Sequence, residues 1–210
     1  MRQFKIFYIF TSFSELCIHE KRPHKYTLQA SGIYFILKCI NRNLRGIIMN
    51  SIKLYSNQVN EAIEVMREVA AWGRDKGFRV WRDDWLTKEK LITTDTRPEN
   101  FYIGKIGINT VCAFILQWND SEYWNNAQKN EAVYLHKFCV RREFAGRNMT
   151  KLVIEAIKKL CEEKGIKYIR LDTALDEKKI RKIYLNTGFK IIDIIDYPNG
   201  RSTALYELDV

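Results

Sequence analysis

The chain has 210 residues, of which 46% are hydrophobic and 29% charged, a balance that fits one soluble globular domain with room for a sizeable core. Its net charge of +10 looks like the mark of a polyanion ligand. However, residues 1–48 carry Arg2, Lys5, Lys21, Arg22, Lys25, Lys38, Arg42 and Arg45 against Glu15 and Glu20, a net +6 that leaves residues 49–210 only +4, so no nucleic-acid partner is expected.

Residues 1–48 hold aromatic and isoleucine runs without a sustained period, and no domain can be built from them. Phe4 to Phe13, interrupted by Lys5, and Ser31 to Ile40 both fall short of the ~20 apolar residues of a membrane span. No small-residue cleavage site follows the first of them, and no membrane partner is expected. Arg45-Gly46 can be encoded AGA-GGA, a purine-rich ribosome-binding sequence two codons before Met49. The expectation is that translation starts at Met49, that residues 1–48 are a non-native or disordered extension, and that residues 49–210 form the domain. A genuine basic arm is the alternative, and a native N-terminal peptide beginning before Met49 would establish it.

The cysteines (Cys17, Cys39, Cys112, Cys139, Cys161) form no CxxC pair and no metal-ligand spacing. No metal is expected, and a reduced, cytoplasmic compartment fits best.

In chain order, Ser51 to Tyr55 reads as a short strand. Ser56 or Asn57 then caps a helix whose apolar face is Val59, Ala62, Ile63, Met66, Val69 and Ala70, ended near Gly77. A second short helix is expected around Asp84 to Ile92. Phe101 to Ile106 and Val111 to Trp118 form a hairpin across residues 107–110. After a polar loop, Val133 to Val140 is rich in β-branched and aromatic residues and reads as a buried strand. From Leu152 the spacing Leu152, Val153, Ala156, Ile157, Leu160 and Cys161 marks one helical face, stopped at Gly165. Tyr168 to Thr173 is a strand and Glu177 to Thr187 a helix. Lys190 to Asp196 and Ser202 to Val210 close the chain as a hairpin.

Between the central strand and its helix lies Phe144-Ala145-Gly146-Arg147-Asn148-Met149-Thr150. A turn there points unpaired N–H groups, at the positive end of a helix dipole, toward one spot, which suits a phosphate or pyrophosphate. This strand–turn–helix resembles the core motif of the GNAT superfamily of acyl-CoA-dependent N-acyltransferases, whose pattern is Gln/Arg-x-x-Gly-x-Gly/Ala. Ala145, Asn148 and Thr150 depart from it; Asn148 tolerates left-handed geometry. The run Tyr184-Leu185-Asn186-Thr187-Gly188-Phe189 is similar to the family's Tyr-x-x-x-Gly-Phe, and the order βααβββαβαββ is the family's.

The resemblance covers residues 49–210. It implies an α/β fold, a twisted, mostly antiparallel sheet flanked by helices with a splayed central strand pair. It also implies an acetyl-CoA-dependent N-acetyltransferase acting by direct transfer on a primary amine of a small molecule or peptide, with a possible homodimer. The loop residues Ala145, Gly146, Arg147, Asn148, Met149 and Thr150, with the amides of Phe138 and Val140, would hold the cofactor. Tyr184 would protonate the departing thiolate, and Glu131 or His136 would serve as base. Trp81, Trp85, Asp120 and Trp124 would line the acceptor groove. The alternative is a catalytically degenerate CoA-binding or interaction protein, motivated by the three departures in the loop.

Overall fold

The structure is a computed structural model that describes residues 52–124 and 127–210; the expectations for residues 1–48 lie outside the described residues. Its elements are β1 (Lys53–Tyr55), α1 (Val59–Asp75), α2 (Lys88–Leu91), β2 (Phe101–Ile106), β3 (Asn109–Gln117) and β4 (Ala132–Val140). These are followed by α3 (Met149–Glu163), β5 (Tyr168–Ala174), α4 (Lys178–Asn186), β6 (Lys190–Asp196) and β7 (Ser202–Asp209). One sheet joins the seven strands in the order β1-β2-β3-β4-β5-β7-β6. Only β4 and β5 run parallel; every other neighbouring pair is antiparallel. The mixed, mostly antiparallel sheet expected from the sequence is the one found.

The middle strands are buried on both faces, which is why they read as near-continuous apolar runs. On β3, Cys112, Phe114 and Leu116 face one cluster, with Val153, Ile154, Ile157 and Cys161 of α3. Ala113 and Ile115 face the other, with Ala62, Ile63, Val65 and Met66 of α1. Phe114 is fully buried and stacks on Tyr102 at 5.3 Å between ring centroids. Phe114→Ala should therefore cost about 3–5 kcal/mol of stability, read as a fall in the urea midpoint with an unchanged slope.

Two local expectations are corrected. Neither Ser56 nor Asn57 caps α1: the N-cap is Gln58, without a side-chain cap bond, because Asn57 takes a left-handed turn at φ 59°. The expected helix around residues 84–92 is a 3-10 turn, Asp83–Trp85, followed by the single turn of α2. Only Leu86 and Leu91 of that stretch reach the core, too few to hold a longer helix.

The parallel seam is short. β4 and β5 pair at Ala132–Tyr168, Val133–Ile169 and Tyr134–Arg170, and no further. Beyond Tyr134 the strands part. Residues 135–140 of β4 are left without a partner on the β5 side. No described helix is long and apolar enough to cross a membrane.

Candidate active site

The opened seam is the floor of a cleft. β4 pairs with β3 at Ile115–His136 and again at Ala113–Cys139, so Lys137 and Phe138 oppose the single residue Phe114. Such a bulge re-aims the strand's side chains. Lys137 takes φ 52°, a left-handed conformation that is costly for a lysine. Its ammonium lies 5.6 Å from the centre of the Trp81 ring. Burial lowers the Lys137 pKa, against the opposing pull of Asp172 and Glu122.

At one end of the cleft the chain leaves β4 through a 3-10 turn, Arg142–Phe144, and enters α3. Gly146 (φ 79°) and Asn148 (φ 54°) are both left-handed, and Asn148 is the N-cap of α3 without a side-chain cap bond. Among the described residues no protein acceptor takes the amides of residues 146–151. Ala145, Gly146, Asn148, Met149 and Thr150 line the cleft. The Met149 side chain itself is buried in the core, while Arg147 is exposed and does not line the cleft. The loop is thus a concave set of donors at a helix N-terminus, built from backbone.

Tyr184 reaches the same cleft from α4. Its ring packs against Phe189 at 5.7 Å and Tyr206 at 6.0 Å, and the Tyr206 hydroxyl is held by Arg181 Nε at 3.0 Å. Burial, reinforced by the Asp172 carboxylate, raises the Tyr184 phenol above its ordinary pKa, so it stays protonated. Glu177, the N-cap of α4, is matched by Arg79, whose guanidinium lies 3.8 Å from it and bonds Asp176. That rim of the cleft therefore carries no unopposed acid.

The candidates for base separate. His136 lines the cleft, with Asp120 and Asp172 on either side of its ring. Glu131 does not reach it. It sits at the start of β4 with its carboxylate 3.4 Å from Arg170, in a knot where Arg170 also bonds Glu207 at 2.8 Å. Trp124 belongs to that knot as well, 4.7 Å beneath the Arg170 guanidinium and 5.9 Å from Tyr134. Both are corrected: a buried arginine at the closed end of the seam claims them. Trp81 and Trp85 line the cleft, whereas Asp120 lies behind His136. Phe138 and Val140 lie on the unpaired stretch of β4.

The sequence reading missed Asp172 and Lys137, which line the cleft beside His136. A signal for Asp172 existed. Aspartate is depleted in strands, and Asp172 stands two residues after Arg170 on β5, so both project from one face.

The model of the "Acetyltransferase (GNAT) family" matches residues 63–189. An uncharacterized N-acetyltransferase of Bacillus subtilis (strain 168), YesJ, is 25% identical over 135 residues, covering 59% of this chain and 71% of its own. A GNAT-family acetyltransferase from Listeria monocytogenes superposes with a TM-score of 0.58 at 20% identity, covering 76% of this chain and 95% of its own. Ard1 from Thermoplasma volcanium does so at 0.54 and 14%, covering 76% and 98%. These two share the fold. The family model spans well over half the chain, and the cleft, the amide-rich loop and the strand order agree with it: the chain belongs to the GNAT acetyltransferase family.

Proposed function

We propose that the protein transfers an acetyl group from acetyl-CoA directly to a primary amine of a small molecule or peptide. One observation carries this reading: a single cleft holds the donor-rich loop, the unpaired stretch of β4, Tyr184 and His136. In it the amides of residues 146–151 take the pyrophosphate. The free edge of β4 at Phe138 and Val140 meets the pantetheine arm and thioester. The amine attacks the thioester carbonyl carbon, the C–S bond breaks with its electron pair on sulfur, and Tyr184 protonates that sulfur. His136 takes up a proton from the nitrogen. Trp81 and Trp85 flank the acceptor end.

Cys139, also in the cleft wall, has no part in the transfer. Its Sγ faces the Ala113 carbonyl oxygen at 3.7 Å, and burial raises its pKa, so it remains a thiol rather than a nucleophile. Cys112, Cys139 and Cys161 are free thiols, which fits a cytoplasmic location.

Calorimetric titration with acetyl-CoA, followed by thiol release across a panel of amines, tests the reading. Binding with turnover of at least one amine is expected. Binding without turnover of any would identify a CoA-binding protein that has lost its chemistry.

A further inference from the structure

A carboxylate inside a buried strand is a costly choice unless something compensates it. Asp172 stands on β5 two residues beyond the last β4 pair, in the wall of the open cleft. Its Oδ1 lies 3.5 Å from His136 Nδ1. On the far side of the same ring, Asp120 Oδ2 lies 3.4 Å from His136 Nε2. Asp120 is only 5% exposed, and its Oδ1 accepts the amides of Glu122 at 3.0 Å and Tyr123 at 3.1 Å. Its Oδ2 and His136 Nε2 are buried without a hydrogen-bond partner. Both ring nitrogens thus face carboxylates, and of the two carboxylates only Asp172 lines the cleft.

His136 and Lys137 favour the charge of the Asp172 carboxylate, while Asp120 and Glu122 oppose it. The carboxylate that Asp172 presents at the cleft wall is complementary to an organic ammonium ion.

We propose that the acceptor enters the cleft as an alkylammonium ion, that Asp172 is the group that meets it, and that Asp172, His136 and Asp120 form one proton relay. The proposal rests on the acetyltransferase reading above. An ammonium nitrogen that becomes an amide nitrogen sheds two protons. The first passes to Asp172 and on to His136 Nδ1, giving an imidazolium between two carboxylates, its Nε2–H turned to Asp120. The freed lone pair forms the C–N bond at the thioester carbon. The second proton goes to Asp172, again a carboxylate. The C–S bond then breaks and Tyr184 protonates the sulfur. Of the two protons released, one restores Tyr184 and one leaves to solvent, so an alkylammonium ion and acetyl-CoA give an amide, CoA thiol and one proton. Burial raises the Asp172 pKa, which makes it a stronger base than a solvated aspartate.

The test uses the full chain, with phenethylamine, spermidine and a lysine-containing peptide as ammonium probes and aniline as a neutral amine. Asp172→Asn should bind acetyl-CoA like the wild type in calorimetry. Its kcat/KM for the best ammonium probe should fall about 10²–10⁴-fold. The loss with aniline, which sheds one proton fewer, should be at least about tenfold smaller, by the same reasoning on proton transfer. Asp120→Asn should lower kcat with KM unchanged, and should shift the ring nitrogen-15 resonances of His136, assigned among the chain's three histidines with His136→Gln. Equal losses for the two amine classes, no loss for either, or unmoved resonances in Asp120→Asn would overturn the relay. Acetyl-CoA binding with no turnover of any ammonium probe would overturn it while leaving the cofactor site standing. No acetyl-CoA binding would overturn the acetyltransferase reading beneath it. If Asp172→Asn does not fold, the Asp120→Asn measurements decide alone.

Discussion

Gly146→Pro abolishes acetyl-CoA binding in a protein that still unfolds cooperatively. Gly146 stands at φ 79°, and proline is fixed near −65°, so the turn cannot keep its shape. The substitution also removes one of the amides on which the loop depends. The fold itself has little at stake there, since a Cβ built on Gly146 meets nothing within 4 Å. Gly146→Ala separates the two effects: it keeps the N–H and suffers only the left-handed penalty of about 1–2 kcal/mol. Arg147→Ala should weaken binding only modestly, because the exposed Arg147 side chain lies outside the cleft wall. Calorimetric titration of the three variants checks the set, and a folded Gly146→Pro protein with wild-type affinity would remove the loop from the site.

Tyr184→Phe lowers the single-turnover rate of acetyl transfer by about 10²–10⁴-fold and leaves acetyl-CoA binding nearly intact. The hydroxyl is needed only when the thiolate departs, a demand of the transition state rather than of the bound complex. With its pKa raised by burial, the phenol stays protonated across neutral and mildly alkaline pH. The Tyr184 limb of the rate profile therefore falls only at strongly alkaline pH. Phenylalanine preserves the ring packing on Phe189 and Tyr206, so stability should barely move. Tyr184→Ala would empty that packing and destabilise as well. An unchanged single-turnover rate in folded Tyr184→Phe, across the working pH range, would exclude it as the acid.

How much of this was legible beforehand depended on how local the cause was. β3, β4 and α3 could be read because their patterns arise from burial along one element, and the left-handed tolerance of Asn148 because it is a property of the residue. The assignment of Glu131 failed for the opposite reason. Position in the chain put it at the start of the right strand, but Arg170, distant in sequence and adjacent across the parallel seam, takes its carboxylate. Trp124 was lost to the same arginine. The surroundings of His136 could not be read from its own strand, because its two carboxylate neighbours come from the loop after β3 and from β5. The bulge at Lys137 leaves no pattern either, since a lysine at φ 52° is imposed by the register against β3 rather than preferred by its own backbone.

A sheet is stiff where its strands are pinned along their length, and this one is pinned at its middle by three residue pairs. The four strands on one side and the three on the other meet at that short seam, while one core cluster, drawn from β3, β4, α3, β5 and β7, packs beneath both. Tyr184 belongs to the three-stranded side; the bulge of β4 and the amide-rich loop belong to the other. The spacing between the phenol and the loop is therefore set by side-chain packing across the seam more than by backbone bonds, so a substitution in that shared core would alter the cleft without touching its lining.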